Sequence, residues 1–230
     1  VDVGRLGVWW SGTWTAADRS HAAHALEEAG YGALWSSGGF RPGLSSRFGR
    51  LLEATHRLVV ASGIVSIWTT PPEELARAVG AVDARFPGRF LLGLGTSHGP
   101  LVADYAHPYR KMVGYLDSLD SIDSIDSSGA DGTDGRAGGA VADAVGKGRR
   151  VLAALGPRML ELAATRSAGA HPYFVPAEHT ERARQIMGPG PLLAPEVTVL
   201  LEPDAHRARE VARRFTSGYL SLPNYSNNLR

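Results

Sequence analysis

Three stretches of the sequence bring together residue types that do chemistry. The first is Gly93, Leu94, Gly95, Thr96, Ser97, His98, Gly99. Here Gly95 lets a ligand approach the backbone, while Ser97 and His98 set a hydroxyl and an imidazole beside it. Imidazole exchanges protons near neutral pH, so His98 is the candidate acid/base. The second is Leu155, Gly156, Pro157, Arg158, a strand-to-helix turn with proline at the first helical position. The exposed amides of a helix start beside an arginine make Gly156, Pro157 and Arg158 a candidate phosphate cradle. The third is the set of five tryptophans, Trp9, Trp10, Trp14, Trp35 and Trp68, all in the first 68 residues and at or near strand ends. Flat aromatic surface of this kind suits a planar heteroaromatic ligand, and Trp10 is assigned to its contact.

Other patterns are weaker. The glycines after residue 92 miss the G-x-G-x-x-G spacing by one position, His21 and His24 have no carboxylate or third histidine to complete a metal site, and no G-x-S-x-G elbow surrounds Ser36, Ser37 or Ser62. Asp126, Asp131 and Asp134 lack the spacing and terminal glutamate of a calcium loop. No metal site is expected.

The elements that must position these residues follow from alternation of short apolar runs with helically spaced segments. Strands are expected at 5–10, 31–36, 58–66, 89–94, 150–155, 170–175 and 196–201, the third as one continuous apolar run buried on both faces. Helices are expected at 15–29, 45–56, 73–84, 104–120, after Pro157, at 179–187 and at 205–215. Seven βα units without a hairpin signal, and without a dinucleotide fingerprint after the first strand, favour an α/β fold of the TIM (β/α)8 type. The chain 1–230 then reads as one barrel domain that lacks an eighth βα unit, since 217–230 is polar and turn-rich. The Ser, Asp, Gly and Ala rich stretch at about 121–148 reads as a flexible linker whose first half could extend the preceding helix and whose end, 140–145, could fill the gap in the barrel.

Composition narrows the function. A net charge of +1 with dispersed Lys and Arg argues against nucleic-acid binding, and the absence of cysteine excludes disulfides, thiolate metal sites and cysteine nucleophiles. No run approaches the roughly 18 apolar residues of a membrane span, and no leader is evident, so a cytoplasmic protein acting on a small molecule is expected. Unpaired edges on the first and last strands of an unclosed barrel predict a homo-oligomer.

The stretches GRLGVWW, YGALWSSGGF, LVVASGIVSIWTTPPEELA, GRFLLGLGTSHGPLV, YRKMVGYLDSLD, VLAALGPRMLELAATRSAGAHPYFVPAEHTERAR and YLSLPNY resemble, in order and spacing, the bacterial luciferase-like family of flavin and deazaflavin oxidoreductases, most closely its actinobacterial F420-dependent branch. The resemblance implies a cofactor at the C-terminal mouth of the barrel and a non-prolyl cis peptide in the third strand around Ser62, Gly63 and Ile64. It also implies a cofactor-phosphate contact at Gly156, Pro157 and Arg158, and a wall beside the ring and tail at Gly95, Ser97 and His98. The implied activity is hydride transfer between coenzyme F420 and a small organic substrate. An FMN-dependent monooxygenase is the alternative on the same scaffold. The acidic residue and histidine that many relatives carry after the second strand are replaced by Ser36, Ser37, Gly38 and Gly39. That replacement and the missing eighth unit leave a non-catalytic cofactor-binding relative as a third reading.

Overall fold

The computed structural model describes residues 1–10, 16–37, 44–128 and 144–229. Among the described residues eight strands are formed: β1 (Gly7–Trp10), β2 (Ala33–Ser36), β3 (Val59–Ser62), β4 (Val65–Ser66), β5 (Phe90–Gly95), β6 (Arg150–Leu152), β7 (Gly169–Ala170) and β8 (Leu192–Leu193). All pair in parallel in the order β1-β2-β3-β5-β6-β7-β8, with β4 beside β5. The helices between them are α1 (Ala16–Glu28), α2 (Leu44–Glu53), α3 (Pro72–Arg85), α4 (Pro108–Ser128), α5 (Pro157–Arg166) and α6 (Ala177–Met187). After β8 come α7 (Ala205–Leu220) and the short α8 (Pro223–Ser226). Seven sheet positions form a curled TIM-barrel-like sheet whose end strands, β1 and β8, do not pair with each other. Among the described residues no eighth βα unit completes it. No described helix is long and apolar enough to cross a membrane.

Two cores follow from strand alternation. Leu34, Val60, Phe90, Leu92, Leu94 and Leu152 point toward the helices, while Ala33, Trp35, Val59, Ala61, Leu91 and Val151 fill the inside of the curl. The outer core joins the apolar faces of α2, α3 and α4 to the sheet through Phe48, Leu75, Val79, Met112 and Leu116. Arg150 is buried at the start of β6, where its guanidinium donates to Val145 O, Arg166 O and the Asp120 carboxylate. One side chain thereby ties the sheet to α4 and α5.

The sequence reading of the strands needs two corrections. The run 58–66 is not one strand. Ala61 pairs with Leu91 and Val65 with Leu94, so four steps along one chain match three along the other, and one extra residue bulges out. The Gly63–Ile64 peptide inside that bulge is cis, as the resemblance implies. The seventh strand is not 196–201: the N–H groups of Leu192, Ala194 and Glu196 donate to Ala168, Ala170 and Pro172, which makes Glu196 the end of the ladder rather than its beginning. Val197, Val199 and Leu201 beyond it are exposed. Residues 121–128 continue α4, the extension of the preceding helix that the sequence allows. Residues 129–143, with Asp131 and Asp134, lie outside the described residues, as do Trp14, Gly38 and Gly39. Ala144 and Val145 are buried in the outer core.

Glu27, at the end of α1, shows how the sheet is anchored. Its carboxylate accepts the backbone N–H groups of His56, Arg57 and Leu58, the entry to β3. Burial raises its pKa, but these three bonds outweigh burial and hold it at about 2. Because the folded pKa lies below the ordinary 4.5, this stabilisation is complete above pH 4.5 and is lost as pH falls toward 2. Glu27→Gln is expected to cost about 2–3 kcal/mol at pH 7, by weakening charged hydrogen bonds to buried donors, and much less at pH 2.5. Urea denaturation at the two pH values checks the difference.

Candidate functional site

In a βα barrel the strand C-termini converge on one face, and here they enclose a cavity of about 620 Å³. Trp9 enters it from β1, Gly63 and Ile64 from the bulge, Gly95 to His98 from the end of β5, Ala153 to Gly156 from the end of β6, His171 and Tyr173 after β7, and Glu196 after β8. Tyr219 of α7 and Asn224 and Tyr225 of α8 cover the remaining side.

The bulge forms one wall. Its extra residue lets both Gly63 and Ile64 face inward. The Trp9 indole N–H donates to Gly63 O at 3.3 Å. A Cβ on Gly63 would lie 2.5 Å from that indole nitrogen, so glycine is required by the tryptophan. Gly95 is similarly taken up by protein: a Cβ there would meet Ile64 Cδ1 at 2.6 Å. Gly156 is different, with no atom within 4 Å of a Cβ built on it. It precedes α5 and leaves room at that helix start.

Of the expected site residues, the structure gathers Gly63, Ile64, Gly95, Ser97, His98 and Gly156 around one cavity. Ser62 is buried behind it, its Oγ donating to Gly93 O and accepting from Gly93 N–H. Pro157 opens α5, and Arg158 lies with its guanidinium 4.2 Å from the Tyr109 ring centre. Trp10 does not line the cavity; it packs on the outer core, and the inward residue is its neighbour Trp9. A one-residue error in phase along a strand exchanges the two faces. Trp35 lies inside the curl, and Trp68 donates from Nε1 to Thr96 O, bracing the β5 loop. The aromatic wall therefore comes mainly from tyrosines.

His98 accepts at Nδ1 from the Asn224 side chain at 2.9 Å and rests against the Tyr225 ring. Burial lowers its pKa. The floor holds two groups absent from the sequence reading. His171 stacks on Trp35 with ring centres 4.2 Å apart, and its Nδ1 donates to Ala194 O at 2.8 Å. Its Nε2 faces Glu196 Oε2 at 3.9 Å, beyond hydrogen-bond reach. Burial pushes His171 down to about 4 and Glu196 up to about 7. Burial thus favours the uncharged form of both groups. Burial also raises Tyr173 and Tyr225. The described lining contains no Lys or Arg.

The model of the luciferase-like monooxygenase family matches residues 10–230. The chain belongs to that family. No curated protein matches it by sequence. Among solved structures, an F420-dependent secondary alcohol dehydrogenase in complex with an F420-acetone adduct superposes with a TM-score of 0.69 at 15% identity, over 93% of this chain and 74% of that one. The coenzyme F420 dependent tetrahydromethanopterin reductase of Methanopyrus kandleri gives 0.60 at 14% identity, over 79% and 59%. The oxygenating constituent of 3,6-diketocamphane monooxygenase of Pseudomonas putida, in complex with FMN, gives 0.62 at 13%, over 89% and 68%. The luciferase-like chain thus spans about three fifths to three quarters of the length of these structures, and at such identities they show a shared fold.

The phase of β1 has separable consequences. Trp9→Phe keeps bulk but removes the N–H bond to Gly63, and is expected to weaken binding of a planar ring ligand about 5–10-fold, consistent with about 1 kcal/mol for one hydrogen bond, with little change in melting temperature. Trp10→Ala is expected to cost about 3 kcal/mol of stability through the outer core. Paired ligand titrations and thermal melts of the two variants check this assignment.

Proposed function

We propose that this luciferase-like protein is an oxidoreductase that moves hydride between coenzyme F420 and a small organic substrate. The observation that carries the reading is the cavity itself. It lies at the strand C-termini, its volume is within the range of about 300–1,000 Å³ typical of ligand pockets, and the Gly63–Ile64 bulge supplies one wall. The residues fit the proposed cofactor. The walls formed by Ile64, Ala153, Ala154 and Met159 suit an uncharged ring, and the absence of Lys and Arg from the described lining disfavours placing an anionic tail there. The open space at Gly156, the α5 start and Arg158 offer that tail a position beside the cavity. The bound deazaflavin would supply the hydride chemistry.

The chain's own residues would hold the ring against the bulge, exclude water with Tyr105, Tyr173, Tyr219 and Tyr225, and hold a proton. His98 keeps its Nδ1 occupied by Asn224, so the proton on its neutral ring sits on Nε2, and we assign that group to the ligand as donor. The choice of F420 over FMN rests on the sequence resemblance, while the FMN-containing neighbour keeps a flavin monooxygenase as the second reading. A homo-oligomer belongs to the proposal because, among the described residues, the outer edges of β1 and β8 have no strand beside them and Val197, Val199 and Leu201 lie exposed beyond β8.

Titration with F420 and, separately, FMN tests the reading. Saturable F420 binding is expected. At a ligand concentration 100 times Kd it should add about 2.7 kcal/mol, or roughly 5–10 °C in melting temperature for a chain of this size. Tight FMN binding without F420 binding would establish the second reading, and no saturable binding of either would leave a non-catalytic relative.

A further inference from the structure

We propose that His179 is a positioning residue: it holds the Leu155 carbonyl, and through that peptide it aims the Gly156 N–H at the anionic tail of the cofactor. This inference rests on the cofactor reading above and adds the residue that sets the tail's contact. His179 lies in the first turn of α6 and is buried. Its Nε2 is 2.7 Å from Leu155 O. A carbonyl oxygen only accepts, so Nε2 carries the proton and donates it. The other ring nitrogen, Nδ1, is buried without a hydrogen-bond partner among the described residues.

A histidine that served packing alone would gain nothing from its polar atoms here, because a buried acceptor left unpaired costs stability. What the imidazole adds over an apolar ring is one bond, to Leu155. The Leu155 carbonyl and the Gly156 N–H belong to one rigid planar peptide, which is trans and points the two groups in opposite directions. With the carbonyl fixed on His179, the N–H is turned away from α6. It finds no acceptor among the described residues. Gly156 itself lines the cavity at the start of α5, which has no side-chain cap, and open space lies beside it. A donor fixed in direction before the ligand arrives avoids the cost of ordering a mobile turn on binding. An anionic oxygen is the complement of such an amide at a helix start.

The first measurement needs no cofactor. The N–H groups of Met159 and Leu160 donate to Gly156 O and so report on the turn. In the chain alone their hydrogen exchange should be faster in His179→Phe than in the parent. His179→Leu, which removes the same donor with a smaller side chain, should behave alike. His179→Gln, whose amide can donate to Leu155 O, should restore most of the protection. The variants should melt within about 5 °C of the parent, the scale of one hydrogen bond in a chain of this size. Unchanged exchange in both His179→Phe and His179→Leu overturns the proposal. The second measurement compares F420 with the same deazaflavin ring lacking the phosphate-bearing tail. His179→Phe should bind F420 about 5–10-fold more weakly than the parent, the equivalent of one hydrogen bond, and the tailless ring within about twofold of it. His179→Gln should recover most of the F420 affinity. A loss that falls equally on both ligands marks a general structural role and overturns the proposal. Equal binding of the two ligands by the parent also overturns it, while leaving the cofactor reading in place. Absence of F420 binding by the parent overturns the cofactor reading and this inference with it.

Discussion

The geometry of the mouth depends on the contact between Trp9 and Gly63. An indole packed against the third strand leaves no space for a Cβ at residue 63, and its N–H takes the Gly63 carbonyl as acceptor. This fixes where the bulge lies. The extra residue then brings Ile64 onto the same wall, and Ile64 in turn fills the space that a side chain at Gly95 would need. Behind the wall, Gly93 is held to Ser62 by reciprocal hydrogen bonds, with Ser62 O only 1.9 Å from where a Cβ at Gly93 would sit. A series of requirements for small residues across β1, the bulge and β5 thus shapes a flat inner surface. Close packing makes such requirements strict, since the backbone has little freedom to yield.

The glycine-rich loop after β5 and the Gly156 turn were legible because loops after parallel strands carry distinctive polar and glycine residues. The βα rhythm was legible for the same reason. The faces of the strands were not. Val8, Trp9 and Trp10 form an apolar run, and a strand buried on both sides gives no alternation from which to read its phase. Trp10 was therefore assigned the place that Trp9 holds. The third strand hid its bulge similarly, because an apolar run looks continuous whether or not its ladder slips by one residue. Only the family resemblance pointed to residues 62–64.

The seventh strand misled in a more consequential way. Val197, Val199 and Leu201 have the composition and alternation of a strand, whereas the actual ladder passes through Ala194, Pro195 and Glu196, where proline and a charge argue against one. Parallel pairing with Gly169 and Ala170 decides the register. Gly169 Cα must come so close to Leu192 that a Cβ would meet its carbonyl at 1.9 Å. That long-range fit moves Glu196 from the beginning of a strand to its end, and hence into the cavity. His171 escaped notice for a related reason: nothing local distinguishes a histidine that stacks on a distant tryptophan from one that faces solvent.

Glu27 and Glu196 show how the partners of a buried carboxyl decide the direction of its pKa shift. Both are largely removed from water, and burial alone would raise both pKa values. Glu27 meets three backbone donors at the entry to β3, which more than offset burial and keep it ionised as a fixed anchor. Glu196 faces a histidine held just out of reach, ringed by tyrosines, with no described Lys or Arg beside it. Holding His171 in place through Trp35 and Ala194 maintains that separation. Had the imidazole been free to approach, a hydrogen bond or ion pair would have pulled Glu196 back toward an ordinary carboxylate and made it another anchor. The difference between the two carboxyls therefore lies in their partners, which the sheet sets through its inward-facing side chains.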